Sequence, residues 1–459
     1  MNSFRFRSKF KEPVEEVFDW HMRSGTLERL IPPWDKTKVI YSSGAPSEKG
    51  EVHLRMRKCG VSFDMKIGHT DFVRNRLFQD EQKSGPFRYW RHIHRFERSS
   101  DGGSVMEDHI EWTAPFGSFG DSICRRLVTS ELRRLFTFRH QRLKDELERI
   151  RINRSPQPLS IAITGSNGLI GASLCHVLTT MGHTVIPLVR NKESIQSSQA
   201  FWDPTTGEID RSKLENIDAV IHLAGEPLLG FRWTEKKKEA IQQSRIVGTE
   251  GLAKCLVRLE KPPKVFVSAS AVGFYGDRGL EDLTEQAGPG RGFLADLCQA
   301  WEGATQPAVD RGIRVVHPRM GIVLTPAGGA LSHMLPAFRF SVGARFGKGN
   351  RFMSWIDHDD LLSLIVYCVV NEDIEGPVNA VSPNPVSNAT FSNLLGEALN
   401  RPVVFSVPDQ VTKVMLGELG TEMFLASTKV VPEAMTKHGF NFKYAALRDS
   451  LSFQLGRCQ

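Results

Sequence analysis

Apolar and polar positions along the first 150 residues alternate in short runs and then settle into a helical spacing. Phe4 to Phe10 alternates apolar and basic residues, which predicts a strand. Pro13 opens a short helix through Val17, Phe18 and Met22, and Leu27, Leu30 and Ile31 continue it. Runs near 37–43, 50–58, 61–73, 88–97 and 104–114 read as strands, parted by turns such as Ser99-Ser-Asp-Gly-Gly103. From Ser122 to about Ile150 the period becomes helical, with Ile123, Leu127, Leu132, Leu135, Phe138, Leu143 and Leu147 near one face.

Residues 151–158 interrupt this pattern, being polar and holding Pro156 and Pro158. Beyond them apolar strands alternate with helices, the order of a parallel, doubly wound sheet. The division is therefore a domain over 1–150, a linker over 151–158 and a second domain over 159–459. The expected fold class is α/β, a Rossmann-type doubly wound parallel sheet with a small C-terminal substrate lobe, behind an N-terminal α+β domain. Leu361 to Val370 reads as a buried helix with Asp359 and Asp360 as candidate caps. No window approaches the roughly 18 apolar residues of a membrane span.

The strongest chemical signal lies at the start of the second domain. The strand Leu159 to Thr164 runs into Gly165-Ser166-Asn167-Gly168-Leu169-Ile170-Gly171 and then a helix, Ala172 to Met181. A second strand, His183 to Val189, completes the strand–turn–helix–strand context that a dinucleotide loop needs. Gly165 permits the tight turn, Gly168 lets backbone approach a pyrophosphate, and Gly171 lets the helix pack on the strand. The helix N-terminus offers free N–H groups to phosphates. Arg190 follows the second strand where an acidic residue would bind the ribose hydroxyls of NAD. A guanidinium there suits a 2′-phosphate, so the cofactor expected is NADP(H); the alternative is a surface arginine. The fourth strand, from Asp218, ends in the small residues Ala224 and Gly225, and the next runs from Lys264 through Ser268, Ser270 and Tyr275.

Charge and cysteine content change this picture little. The net charge of +7 is uneven: residues 1–154 hold 30 Lys+Arg against 22 Asp+Glu, and the rest 29 against 30. The arginines sit beside aromatics without a polybasic run, which reads as a solvated basic surface and not as a nucleic-acid footprint. Seven scattered cysteines without a CxxC pair argue against a disulfide framework and a structural zinc site, and a cytoplasmic home is the simplest expectation.

From about Leu159 to the C-terminus the chain resembles the extended short-chain dehydrogenase/reductase superfamily, and within it the epimerase family. The resemblance rests on Thr164 to Gly171, Leu223-Ala-Gly-Glu-Pro227, Ser244-Arg245, Ser268 to Gly276, Trp301-Glu302, Gly328-Gly-Ala-Leu331, Ser354-Trp-Ile356 and Gly376-Pro-Val-Asn379. The tail over about 385–459, with Lys429-Val-Val-Pro432 and Gly439-Phe440, resembles that family's characteristic C-terminal segment. The resemblance implies that Gly165 to Gly171, Arg190, Leu223, Ala224, Glu226 and Arg245 line an NADP(H) site. Typical superfamily members use a Tyr-x-x-x-Lys pair, in which the lysine lowers the tyrosine pKa for proton transfer. The corresponding stretch here is Phe293-Leu-Ala-Asp-Leu297, with neither residue. Ser270 and Tyr275 are left as the acid/base candidates, the alternative being that they close the cofactor pocket.

The N-terminal domain resembles the START-like, polyketide-cyclase-like helix-grip family, on Pro13 to Phe18, Ile31-Pro-Pro-Trp34, Gly85-Pro-Phe87, Trp90 to Phe96 and Asp108-His109. This implies a curved antiparallel sheet around a long helix and an apolar cavity for a hydrophobic small molecule. On the strand Trp90-Arg-His-Ile-His-Arg-Phe96, His92 and His94 share a face with Trp90 and Phe96. His-x-His at that period suits a metal, but no acidic or thiol partner is evident in the sequence. Structural or cavity-lining histidines are the expectation, with no metal site. Two functions stay open: an NADP(H)-dependent oxidoreductase or epimerase of unknown substrate, and a non-catalytic NADP(H) sensor coupled to the front domain or a partner.

Overall fold

The first alternating run forms strand β1 (Asn2–Phe10), and the apolar face of the next segment forms helix α1 (Val14–His21), which buries Val14, Val17 and Phe18. After α2 (Thr26–Leu30) come β2 (Lys38–Ser42), β3 (Glu51–Lys58), β4 (Val61–Val73), β5 (Leu77–Ser84), β6 (Tyr89–Arg98) and β7 (Ser104–Thr113), then the long helix α3 (Gly117–Ile152). The computed structural model describes every residue except 47–49, 59, 116, 231 and 458–459, and only the backbone of 117–119 and 194. Cys59 and Cys458 thus lie outside the described residues, and the five cysteines described are free thiols.

The seven strands make one antiparallel sheet in the order β1-β7-β6-β5-β4-β3-β2. A core of Phe10, Phe18, Phe78, Phe96, Leu143 and Leu147 joins α1, the sheet and α3. Two sequence expectations need correction here. Strand β5 was not anticipated, because after Leu77 and Phe78 its residues are polar, half-buried to Gln82 and exposed at Lys83 and Ser84, and the apolar alternation is lost. The helical face expected to begin at Ile123 is buried only from Leu132 onward, and Ile123 and Leu127 are exposed.

The chain forms two compact units, one of Met1–Ile152 with Thr179–Gly182 and the residues from Gly456, the other of Asn153–Leu178 and His183–Leu455. In the second, β8 (Ser160–Thr164), α4 (Leu169–Thr180), β9 (Thr184–Val189), β10 (Ala200–Phe201) and β11 (Ala219–His222) lead to α5 (Glu235–Gln242) and α6 (Gly248–Leu256). Then follow β12 (Val265–Ser268), β13 (Ser270–Ala271), β14 (Asp282–Leu283), α7 (Phe293–Gly303), α8 (Gln306–Asp310) and β15 (Arg314–Met320). The sheet order is β10-β9-β8-β11-β12-β15-β13, and the strand Gly376–Ala380 also pairs with β15. Neighbouring strands run parallel, so the winding reverses between β8 and β11, the switch point at which such sheets bind ligands.

The apolar run near 361 forms the buried helix His358–Val370, but its cap differs from expectation. Asp357 is the N-cap, its Oδ1 accepting the Asp359 N–H at 2.8 Å, while Asp360 accepts the N–H groups of Lys443 and Tyr444 at 3.0 and 2.9 Å. Burial, with Asp359 and Asp360 close by, pushes the Asp357 carboxyl well above the usual range. No helix among the described residues is long and apolar enough to cross a membrane.

Candidate functional site

The glycine loop leaves the end of β8 at the switch point. Gly165 has φ of +67°, and a Cβ there would lie 2.8 Å from the Leu223 backbone. A Cβ at Gly171 would lie 2.2 Å from the Gly165 carbonyl oxygen, so the protein's own packing requires both glycines. Gly168 differs: its N–H donates to Gly165 O at 2.8 Å, and a Cβ would approach that one oxygen at 3.1 Å and otherwise meet open space. Asn167 and Gly168 are exposed, Leu169 and Ile170 half-buried, and Ser166 and Gly171 buried.

Thr164, the last residue of β8, ties the loop to the neighbouring strand. Its hydroxyl oxygen accepts the N–H groups of Leu223 and Ala224 at 3.1 and 3.2 Å and lies 2.7 Å from His222 Nδ1. With its lone pairs taken, Thr164 gives its proton to Nδ1, so His222 carries its hydrogen on Nε2 and donates to Thr249 Oγ1 at 3.0 Å. Burial, with Arg245 nearby, pushes the His222 pKa down to about 3 and keeps the ring neutral. Trp301 Nε1 also donates to Thr249 Oγ1, at 3.0 Å.

The turn after β11 is held from the opposite side. Arg245 lies in a wide helical turn, Gln243–Val247, between α5 and α6. It donates to Glu226 O at 2.9 Å and stacks over Trp301 at 5.0 Å, while Ser244 Oγ accepts the Glu226 N–H at 2.9 Å. Among the described residues the buried Arg245 Nε has no hydrogen-bond partner, and burial pushes the guanidinium pKa down to about 10. The Glu226 carboxylate pairs with Lys237 at 2.6 Å. Arg190 is exposed just beyond β9, next to the loop strand, with Leu188 in register opposite Thr164. Gly165 to Gly171, Leu223, Ala224, Glu226 and Arg245 thus gather at the ends of β8 and β11, with Arg190 just past the end of the adjoining β9.

Ser270 and Tyr275 lie in a separate, buried network. Ser270 Oγ donates to Glu302 Oε1 at 2.6 Å, and Arg319 grips the same carboxylate through Nε and Nη2, each at 2.8 Å. Arg319 Nη1 donates to the Tyr275 hydroxyl at 2.9 Å, and that hydroxyl donates to Asn379 Oδ1 at 2.7 Å. The Arg319 guanidinium also lies 3.5 Å from the centre of the Phe274 ring. Tyr275 is fully buried, and burial raises its pKa. Burial alone would raise the Glu302 pKa too, but Arg319 outweighs it and holds the carboxyl below its ordinary value. Helix α7 spans both networks through adjacent residues, Trp301 to Thr249 and Glu302 to Arg319. Its first N–H groups, on Phe293 and Leu294, donate to the Glu422 carboxylate, each at 2.8 Å.

Residues 161–380 match the model of the NAD dependent epimerase/dehydratase family, and residues 407–453 match a domain of unknown function, DUF1731. An epimerase family protein of Mycobacterium leprae is 37% identical over 297 residues, 65% of this chain and 96% of that protein. The chain belongs to this epimerase family. The crystal structure of a nucleoside-diphosphate sugar epimerase from Corynebacterium glutamicum is similar over 99% of this chain and 91% of its own, with 33% identity and a TM-score of 0.81. The human epimerase family protein SDR39U1, crystallised with NADPH, is similar over 64% of this chain and 98% of its own, with 29% identity and a TM-score of 0.59.

Within the family region, the sequence reading did not single out Thr164, His222, Thr249, Arg319 or Asn379 as site residues, and it held Trp301-Glu302 only as a matching segment. The N-terminal unit corrects a second reading, since His92 and His94 do have acidic partners. Asp80 on β5 is in register with His92, and Asp108 on β7 with His94. Asp108 Oδ1 lies 2.7 Å from His92 Nε2 and from His94 Nδ1, and its Oδ2 lies 2.5 Å from His140 Nε2. His109 faces the other side of the sheet, in register with Ile93 and bonded to Ser3 Oγ at 3.0 Å. A cavity of about 1170 Å³ opens onto this cluster, lined also by Met56, Phe63, Met65, Leu132 and Phe136.

Proposed function

We propose that the C-terminal unit binds NADP(H) at the Gly165–Gly171 loop and acts as an NADP(H)-dependent oxidoreductase or epimerase-like enzyme on an unidentified small molecule. The N-terminal unit, in this reading a START-like helix-grip domain, holds a hydrophobic small molecule. The observation that carries the nucleotide reading is the switch-point loop. Two of its glycines are required by the protein's packing, while Gly168 faces space that the protein does not fill. The N–H groups opening α4 suit a diphosphate, Leu223, Ala224 and Glu226 suit the adenosine side, and the exposed Arg190 guanidinium suits a 2′-phosphate. NADPH in the crystal structure of human SDR39U1 supports the same choice. When bound, the cofactor supplies hydride chemistry at its nicotinamide. Thr164, His222 and Arg245 hold the loop and the turn after β11 in shape around it.

A second reading, an NADP(H) sensor without turnover, is favoured by the network around Ser270 and Tyr275. An acid/base role needs a hydroxyl that reaches a substrate. Both hydroxyl protons here go to internal acceptors, which supports positioning roles for the two residues. The antiparallel sheet, the long α3 and the large cavity support the helix-grip assignment of the front unit. The region 385–459 is read as the family's characteristic C-terminal segment, which the match of residues 407–453 to DUF1731 supports.

Titration with NADPH and NADH, followed by nicotinamide fluorescence, tests the nucleotide reading. Arg190→Asp is expected to weaken NADPH by at least about tenfold relative to NADH, since hydrogen bonds to charged groups contribute about 1.5–3 kcal/mol. Equal losses for both nucleotides remove Arg190 from the 2′-phosphate. Oxidation of NADPH across a panel of carbonyl compounds separates enzyme from sensor.

A further inference from the structure

We propose that Asp80, His92 and His94 hold a divalent transition-metal ion on the wall of the N-terminal cavity, with coordination positions open to that cavity. Two adjacent strands, β5 and β6, supply the three ligands. Asp80 lies opposite His92 across the β5–β6 pair, and His94 follows two residues later on the same face. Their donor atoms all lie within 4.8 Å of one another. Two donors on opposite sides of a zinc-sized ion are about 4 Å apart, so small side-chain shifts close the set.

The atoms left over are the right ones. His92 uses Nε2 on Asp108, which leaves Nδ1 for an ion. His94 turns Nδ1 toward Asp108, which leaves Nε2, 3.5 Å from Asp80 Oδ2. His69 Nδ1 bonds Asp80 Oδ1, so Oδ2, the oxygen nearer His94 Nε2, is the one turned to an ion. Metal-binding imidazoles characteristically give their second nitrogen to a carboxylate that fixes the ring; Asp108 does this for His92, and lies 2.7 Å from His94 Nδ1 at ion-pair distance. His140 in turn holds Asp108 from the far side.

Cavity access agrees with this division. His69, Asp80, His92 and His94 line the cavity, whereas the backing pair Asp108 and His140 does not. Two imidazoles and one carboxylate suit zinc or iron better than calcium or magnesium, and three protein ligands leave room for water or an oxygen of a bound ligand.

The test uses the full chain, stripped with a chelator and then dialysed against Co²⁺ or Zn²⁺ alone. Metal content is read by mass spectrometry and Co²⁺ ligation by visible absorption. Wild type is expected to retain about one ion per chain and to give a Co²⁺ spectrum of nitrogen and oxygen ligation. Asp80→Asn and the pair His92→Gln/His94→Gln should each lose at least about 100-fold in affinity. Asp108→Asn should lose about 10–100-fold as a backing residue. His53→Gln, on β3 away from the cluster, should leave binding unchanged. Far-UV circular dichroism identifies variants that fail to fold, and the wild-type spectrum alone still decides the matter. Retention of no ion and no Co²⁺ band by wild type, or uptake equal to that of folded Asp80→Asn, overturns the proposal and leaves a purely hydrogen-bonded network.

Discussion

Replacing Arg319 by Met removes the centre of the buried network while keeping an aliphatic stem to pack against Phe274. Three hydrogen bonds disappear, two to Glu302 and one to Tyr275. The guanidinium and carboxylate side chains are only 4% and 14% exposed, so little water can replace them. A charge pair near 4 Å at an effective dielectric of about 20 is worth about 4 kcal/mol, and removing one partner of a buried pair costs about 3–5 kcal/mol. The residual exposure of Glu302 places the expected loss near the lower end, about 3 kcal/mol. Glu302→Gln alone should cost a similar amount, while the double variant should cost distinctly less than the sum, because it strands no charge. Hydrogen exchange by mass spectrometry, read on peptides from β13, β15 and α7, isolates this region from the N-terminal unit. The Glu302 carboxyl has a lowered pKa in the folded chain. Its contribution is therefore full above the ordinary carboxylate pKa, is lost as pH falls through the folded value, and should vanish in the double variant. The reasoning is falsified if Arg319→Met lowers protection there by less than about 1 kcal/mol, or if the two single losses simply add.

The glycine loop separates folding from binding. Gly171→Ala drives a Cβ into the Gly165 carbonyl and should destabilise the C-terminal unit by about 1–3 kcal/mol in urea unfolding. Gly168→Val should leave the melting temperature within a few degrees yet abolish NADPH binding; retained affinity would show that the nucleotide does not occupy that space. His222 gains its proton near pH 6.5 when unfolded but only near 3 when folded, so its environment makes stability decline as pH falls below about 6.5. His222→Asn should flatten that decline in a pH series of denaturation curves.

Much of the C-terminal unit was legible because its signals are local. The glycine loop between an apolar strand and a helix occupies seven consecutive residues, and the central strands β8, β11 and β12 are short, largely apolar runs. The Ser270–Glu302–Arg319–Tyr275–Asn379 network was not legible, because its links join positions 17 to 104 residues apart that only the fold brings together. Arg319 sits in a strand that also carries Arg314 and His317, and nothing in the strand's sequence sets it apart from them. The acidic partners of the N-terminal histidines were hidden for two reasons. Asp80 lies on a strand whose polar sequence breaks the alternation, and Asp108 was read only with His109 as a segment of family resemblance. Asp357 was passed over as a cap for Asp359 and Asp360, since three acids in four residues leave spacing without power to choose among them.

The wide turn at Gln243–Val247 bears on how one helix can serve two interiors. From Glu235 to Leu256 the chain is continuously helical, yet Ile241 before the turn packs with Trp233, Leu297 and Leu419, while Leu252, Ala253 and Leu256 after it pack against the sheet. An unbroken 3.6-residue period has a single phase, whereas one extra residue in a turn resets that phase by about 100°. The added residue acts as a splice between two angular registers, and Arg245 sits at the splice. Deleting one residue from 243–247 would restore a regular helix but set its two halves in conflict. Either Ile241 or Leu252 would then swing out of its core, and Arg245 would leave the turn after β11 unsupported.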